Sequence, residues 1–211
     1  MEASSASAPL SPNIEPEPRT WQPRALWVAV RLWVGSASFF FVAFVFAYFY
    51  LRSLDTNHGW KIGAVNPSLG LGLAIAALFG LSAIVFRLGA TRPTDTIGAG
   101  IAAIVMAVAG IVLQFIEYTQ LSFGAASGGY ASVFFGWTAV YAILAVGCVY
   151  WIETQIASLW RARREGLKRP VREGVPAEDL ALMRAGIDAC SVFWAYYAGI
   201  GVLAFIILYL V

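Results

Sequence analysis

The sequence predicts an all-α membrane protein, a polytopic bundle of five transmembrane helices. Three observations carry that expectation. First, 60% of the 211 residues are hydrophobic and only 12% are charged, with a mean hydropathy of +0.73. A soluble domain cannot hide that much apolar surface, so lipid must serve as solvent. Second, apolar runs of membrane-spanning length recur at about 26–51, 65–86, 97–121, 131–156 and 187–211. Third, Lys and Arg gather at the ends of these runs, where they orient a chain in a bilayer.

Residues 1–24 read as a disordered tail. Pro9, Pro12, Pro16, Pro18 and Pro23 deny it both helix and sheet pairing. Trp21 is expected at the headgroups, where its ring and its N–H are both satisfied. No cleavable signal peptide is expected, because the first apolar run is too long for an h-region.

The first span carries Arg31 near its start, placed to snorkel. Its second half, FFFVAFVFAYFYLR, is dense in aromatics. These form either an interfacial belt with lipid-facing bulk or a seat for bound lipid. Tyr48 and Tyr50 are expected at the far interface, and Arg52 closes the helix. A polar loop with Asp55, Asn57, His58 and Lys61 follows. In span two, Gly72, Ala76 and Gly80 form a small-residue stripe suited to close helix packing.

Span three places Ala103, Ala107, Gly110, Gln114 and Glu117 three or four residues apart, on one face. A carboxyl at membrane depth is costly, so this face should look into the bundle. Gln114 can bond Glu117, or both can bond span four. A loop of small residues, Gly124 to Gly129, leads into span four, where Tyr141 is a buried phenol in need of a partner. The loop 157–186 is strongly basic and holds Arg161, Arg163, Arg164, Lys168, Arg169, Arg172 and Arg184. Within it, Pro176 followed by Glu178 and Asp179 marks a helix start that runs on into span five.

Counting Lys and Arg by side gives twelve against two, the two being Arg52 and Lys61. The positive-inside rule then puts the N-terminus inside and, after five spans, the C-terminus outside. The net charge of +2 is too small to suggest a nucleic-acid partner. Cys148 and Cys190 lie inside apolar runs and read as small core residues. The one histidine, His58, is in a loop, and Met106 is the one methionine within a span. Haem iron usually takes His or Met, and copper needs clusters of His, Cys or Met. No redox centre can be assembled from these parts, and no phosphate loop, nucleophile elbow or zinc motif occurs.

The stretch LQFIEYTQLSFGAASGGYASVFFGWT, Leu113 to Thr138, resembles subunit III of the haem–copper oxidases (the cytochrome c oxidase type). That family shows L-Q-x-x-E-Y, a small-residue loop, then Y-x-S-x-F-F-x-x-T-G. FAYFYLR, Phe46 to Arg52, resembles the end of the family's first shared helix, and FWAYYAGIGVLAFIILYL resembles its closing helix. Five spans with the N-terminus inside is the family's short form. The departures are Ala37 for a glutamate, Tyr141 and Leu144 for two histidines, and Ala195 and Ala198 for a His and an Asp.

The resemblance implies a divergent, non-catalytic accessory subunit in the inner membrane of a bacterial cell. It would stabilise a catalytic subunit I that holds the haem and copper, touch subunit II, and bind phospholipid, while holding no cofactor itself. Glu117, Gln114, Tyr118, Tyr130 and Arg52 match the family pattern and are the structural, lipid-contact or subunit-contact candidates. Two other readings stay open: a subunit III-like protein of a nitric oxide reductase system, and a stand-alone small transporter or assembly scaffold. The chain shows no internal repeat and no sharply broken span, both of which transporters often have.

Overall fold

The computed structural model describes residues 21–56, 60, 67–92, 95–166 and 177–211. The expectations for the tail before Trp21, and for Asn57, His58, Lys61, Lys168, Arg169, Arg172 and Pro176, lie outside these residues. The described residues form five helices: α1 (Gln22–Ser53), α2 (Leu69–Ala90), α3 (Thr96–Gln120), α4 (Gly129–Gly166) and α5 (Ala177–Phe205). All five are long and apolar enough to cross a membrane. The chain is thus a multi-pass, all-helical membrane protein, with no strand among the described residues.

Helix ends follow local chemistry. α1 starts at Gln22 rather than near 26: Pro23, expected to bar helix in the tail, sits in the first turn, where its missing N–H costs nothing. α2 starts at Leu69 rather than near 65, because Ser68 is extended (ψ 111°) and its hydroxyl accepts from the Leu71 N–H. α4 runs ten residues past the expected end at 156. Its added sequence, ASLWRARREG, is rich in good helix formers, and Arg163 and Arg164 suit the negative end of the helix dipole. α5 begins at Ala177, where Glu178 and Asp179 after Pro176 mark a helix start, and runs on through the helix-prone AEDLALMRAG into the span expected from 187. The basic connection is therefore shorter than 157–186, since both flanking helices extend into it.

The helices alternate in direction. At one end, Arg87 of α2 meets Asp188 and Ser191 of α5. At the other, Tyr209 near the end of α5 lies against Gly72 near the start of α2. Small residues let the backbones close up. A Cβ on Gly89 would strike Ala99, and one on Gly100 would strike Ile156. Gly72 and Ala76 are buried, but a Cβ on Gly80 would meet nothing within 4 Å among the described residues. The expected stripe of three therefore packs at only two of its members.

The core holds Phe41, Phe79, Phe86, Trp137, Trp194 and Ile152, with Cys148 and Cys190 buried as free thiols. The aromatics of α1 divide by face. Phe39, Phe46 and Phe49 point outward, while Phe41 and Tyr48 are fully buried. Tyr48 thus turns into the bundle and packs edge-on against Trp60 at 5.2 Å. Tyr50 is half exposed.

Two polar tethers cross the middle of the bundle. The Trp194 Nε1–H donates to the Ser82 hydroxyl at 3.0 Å, and that hydroxyl donates to the Ala103 carbonyl at 2.8 Å, joining α5, α2 and α3. Tyr141 donates to the Tyr197 carbonyl at 3.2 Å, and Tyr197 donates back to the Tyr141 carbonyl. Their rings stack with centroids 4.3 Å apart. The buried phenol of Tyr141 has its partner on α5.

Candidate functional site

The polar seam of α3 is where the periodicity places it. Ala103, Ala107, Gly110, Gln114 and Glu117 are all buried on one face. Glu117 is 0% exposed. The Gln114 Nε2–H donates to Glu117 Oε2 at 2.9 Å, so the pair one turn apart bond each other. A third group completes the cluster: the Tyr209 hydroxyl donates to the same Oε2 at 2.7 Å. Glu117 Oε1 has no hydrogen-bond partner among the described residues.

Tyr209 reaches Glu117 because α5 ends in a π-turn, Ile206–Leu210, closed by the Val211 N–H to the Ile206 carbonyl at 3.1 Å. The wider turn changes the angular step per residue, which re-aims the side chains in it. Gly72 makes room for the result: a Cβ there would strike the Tyr209 ring at Cε1.

The other candidates fall into two groups. Tyr130, at the start of α4, donates to the Leu208 carbonyl at 2.7 Å. Arg52, at the end of α1, donates from Nη1 to the Val211 carbonyl at 3.0 Å. Together with Glu117, they fasten the last turn of α5 from α1, α3 and α4. Tyr118 stands apart. It faces α4 and donates to the Thr138 hydroxyl at 2.7 Å, and Thr138 donates to the Phe134 carbonyl. A cavity of about 30 Å³ adjoins the cluster, lined in part by Gln114, Thr138, Tyr141 and Tyr209. That is room for about one water, beside polar groups able to bind it.

Chemically the cluster is a clamp around a buried acid. No Lys or Arg among the described residues pairs with Glu117; its hydrogen-bond partners there are Gln114 and Tyr209. Burying a lone carboxylate is expensive, and two donors on one oxygen offset only part of that cost. Among the described residues, no three His, Cys, Asp or Glu side chains gather as a metal site would need. Asp188 and Glu153 are far along the chain direction from Glu117, at the Arg87 end, so no relay of carboxyls crosses the bundle among the described residues.

Sequence reasoning missed Tyr209, Ser82 and the π-turn. Tyr209 was visible as a tyrosine in the last apolar run, but no local signal shows where a final turn will widen. The residues that depart from the oxidase pattern occupy varied settings. Tyr141 and Ala198 are buried, Ala37 is half-buried, and Leu144 and Ala195 are exposed on the helix surface. No protein-family model matches the chain, and no curated protein does either.

Proposed function

We propose that this chain is a non-catalytic accessory subunit of a terminal respiratory oxidase of the haem–copper type. It would sit in a bacterial inner membrane with its N-terminus inside, beside a catalytic subunit that carries the haem and copper. The observation behind this reading is the Leu113–Thr138 stretch that resembles subunit III. Four of its matched residues, Gln114, Glu117, Tyr118 and Tyr130, spend their polar groups within the bundle. Such bonds hold helices in place, which is the work an accessory subunit would do. The orientation is supported by Arg24, Arg31, Arg87, Arg92 and the Arg-rich end of α4 on one side, against Arg52 on the other.

The outer faces suit a chain that packs beside others. α1 turns Phe39, Val42 and Phe46 away from the bundle, the first of them 81% exposed. In lipid, helices associate through van der Waals packing rather than through hydrophobic drive. The test is purification of the chain from its native membranes in mild detergent. A co-purifying polypeptide with a haem absorption spectrum and oxygen-reducing activity is the expected result. Recovery of the chain with no haem-bearing partner overturns the proposal. A partner that reduces nitric oxide instead of oxygen would replace the oxidase with the related reductase.

A further inference from the structure

The outer face of α1 carries a regular alternation of large and small side chains. Val30, Phe41 and Tyr48 are buried and mark the inner face of this helix. On the opposite side, Leu32, Phe39 and Phe46 recur every seven residues and are 68%, 81% and 67% exposed. Ala29, Ser36 and Ala43 recur at the same interval between them, and all three are exposed. Together they form one stripe in steps of three and four residues. It is about 26 Å long, close to the hydrocarbon thickness of a bilayer. The outer stripe of α3 has the same step but another content. Ile101, Val105, Val108, Val112 and Phe115 are all bulky and all exposed. Such a surface offers knobs without holes, whereas the α1 stripe offers both.

Two further observations bear on what covers the stripe. Ser36 lies at its centre, and its hydroxyl has no hydrogen-bond partner among the described residues. Ser38, on the inner side, is engaged twice: it donates to the Val34 carbonyl at 2.7 Å and meets the Tyr196 hydroxyl at 2.9 Å. A hydroxyl is donor and acceptor at once, so Ser36 is complementary to a second Ser36. The charges of the helix permit that meeting. Arg24 and Arg31 are exposed, but they lie about 100° round the helix from the stripe. A symmetric pair therefore brings no two like charges into contact along the seam.

We propose that this face of α1 is a self-association surface, and that its partner is α1 of a second copy of the chain. Two copies inserted in the same direction bring their first helices together in parallel, about a two-fold axis along the bilayer normal. Each residue of the stripe then meets its own counterpart. The layers of Ala29, Ser36 and Ala43 let the backbones approach, and Leu32, Phe39 and Phe46 fill the space between those layers. The seven-residue repeat sets a left-handed crossing of about 20°. At the centre of the seam the two Ser36 hydroxyls bond each other. The pairing does not rest on the proposed oxidase role, since the outer face of α3 stays available to a haem-bearing neighbour.

The experiment is cysteine cross-linking of the full chain in native membranes under a mild oxidant. Cys148 and Cys190 are buried, so they add no thiol to the outer surface. Ser36→Cys should give a disulfide-linked species of twice the chain mass, since a disulfide needs Cα atoms within about 7 Å. Ala43→Cys, one repeat further on, should do the same at a position with no hydroxyl to lose. Phe49→Cys is also exposed but lies about a quarter-turn from the stripe, so it should give several-fold less. Ala29→Leu with Ala43→Leu fills two holes on an exposed face and leaves the packing of the bundle alone. In the Ser36→Cys chain this pair should weaken the dimer about tenfold and bring cross-linking down to the Phe49→Cys level. Equal cross-linking at Ser36→Cys and Phe49→Cys means random collision and overturns the proposal. Monomer alone, or a dimer undiminished by the filled holes, overturns it too. An adduct between Ser36→Cys and a different polypeptide assigns the stripe to that protein and sinks the pairing. A dimer that forms in membranes from which no haem-bearing partner co-purifies removes the oxidase reading and leaves this one standing.

Discussion

The Tyr209 hydroxyl donates to Glu117 Oε2 at 2.7 Å, joining residues 92 positions apart across the bundle. This bond, with that of Gln114, is what a wholly buried carboxyl has in place of a cation. Tyr209→Phe deletes one of its two donors and leaves the ring. The expected cost is about 1–2 kcal/mol, read as a lower unfolding temperature in detergent. Glu117→Gln keeps a carbonyl for both donors without a charge, so it should cost less than Tyr209→Phe. A larger loss for Glu117→Gln would show that the acid itself, and not its acceptor oxygen, holds the cluster.

Gly72 and Gly80 lie on the same helix but predict opposite outcomes. Gly72→Ala drives a methyl into the Tyr209 ring, so the ring must leave its place against Glu117. Overpacking of this kind typically costs about 1–3 kcal/mol. The loss should add only in part to that of Tyr209→Phe, because both remove the bond to Glu117 while the methyl still strikes the ring that Phe keeps. Gly80→Ala meets no described atom within 4 Å and should be neutral or stabilising by up to about 1 kcal/mol through helix propensity. Thermal unfolding of the two single variants and of Gly72→Ala with Tyr209→Phe checks all three statements.

Ser82 is wholly buried and serves two helices at once. Ser82→Ala leaves the Trp194 Nε1–H and the Ala103 carbonyl without this partner. About 1–2 kcal/mol should be lost, since an orphaned donor inside the bundle has no water to turn to. Trp194→Phe in the Ser82→Ala background should recover part of that loss by removing the orphan. A double variant less stable than Ser82→Ala alone would show that the indole packing outweighs its hydrogen bond.

Tyr141 and Tyr197 each donate to the other's backbone carbonyl. Interhelical hydrogen bonds in membrane bundles average about 0.6 kcal/mol, so each Phe substitution should cost about that much. The rings stay stacked in both variants, so the double substitution should be close to the sum of the singles. A coupling well above about 0.5 kcal/mol would mean that one bond holds the other in place.

Five apolar runs and the burial of the seam from Ala103 to Glu117 were legible in the sequence, and the Gln114–Glu117 bond was one of the two pairings it left open. Each depends only on hydropathy and on the 3.6-residue step of one helix, and both are local properties. The extension of α4 was not legible, because ASLWRARREG is polar yet helix-prone, and hydropathy marks lipid depth rather than helix length, whereas the start of α5 at Ala177 was marked by Pro176, Glu178 and Asp179. Only the tertiary structure could decide that Tyr209 meets Glu117, that Tyr48 is buried while Tyr50 is not, and that Gly72 packs while Gly80 does not. Those outcomes rest on which helix lies opposite and on one widened turn at the end of α5. A contact between helices is a fact about two segments at once, and the composition of either segment alone does not contain it.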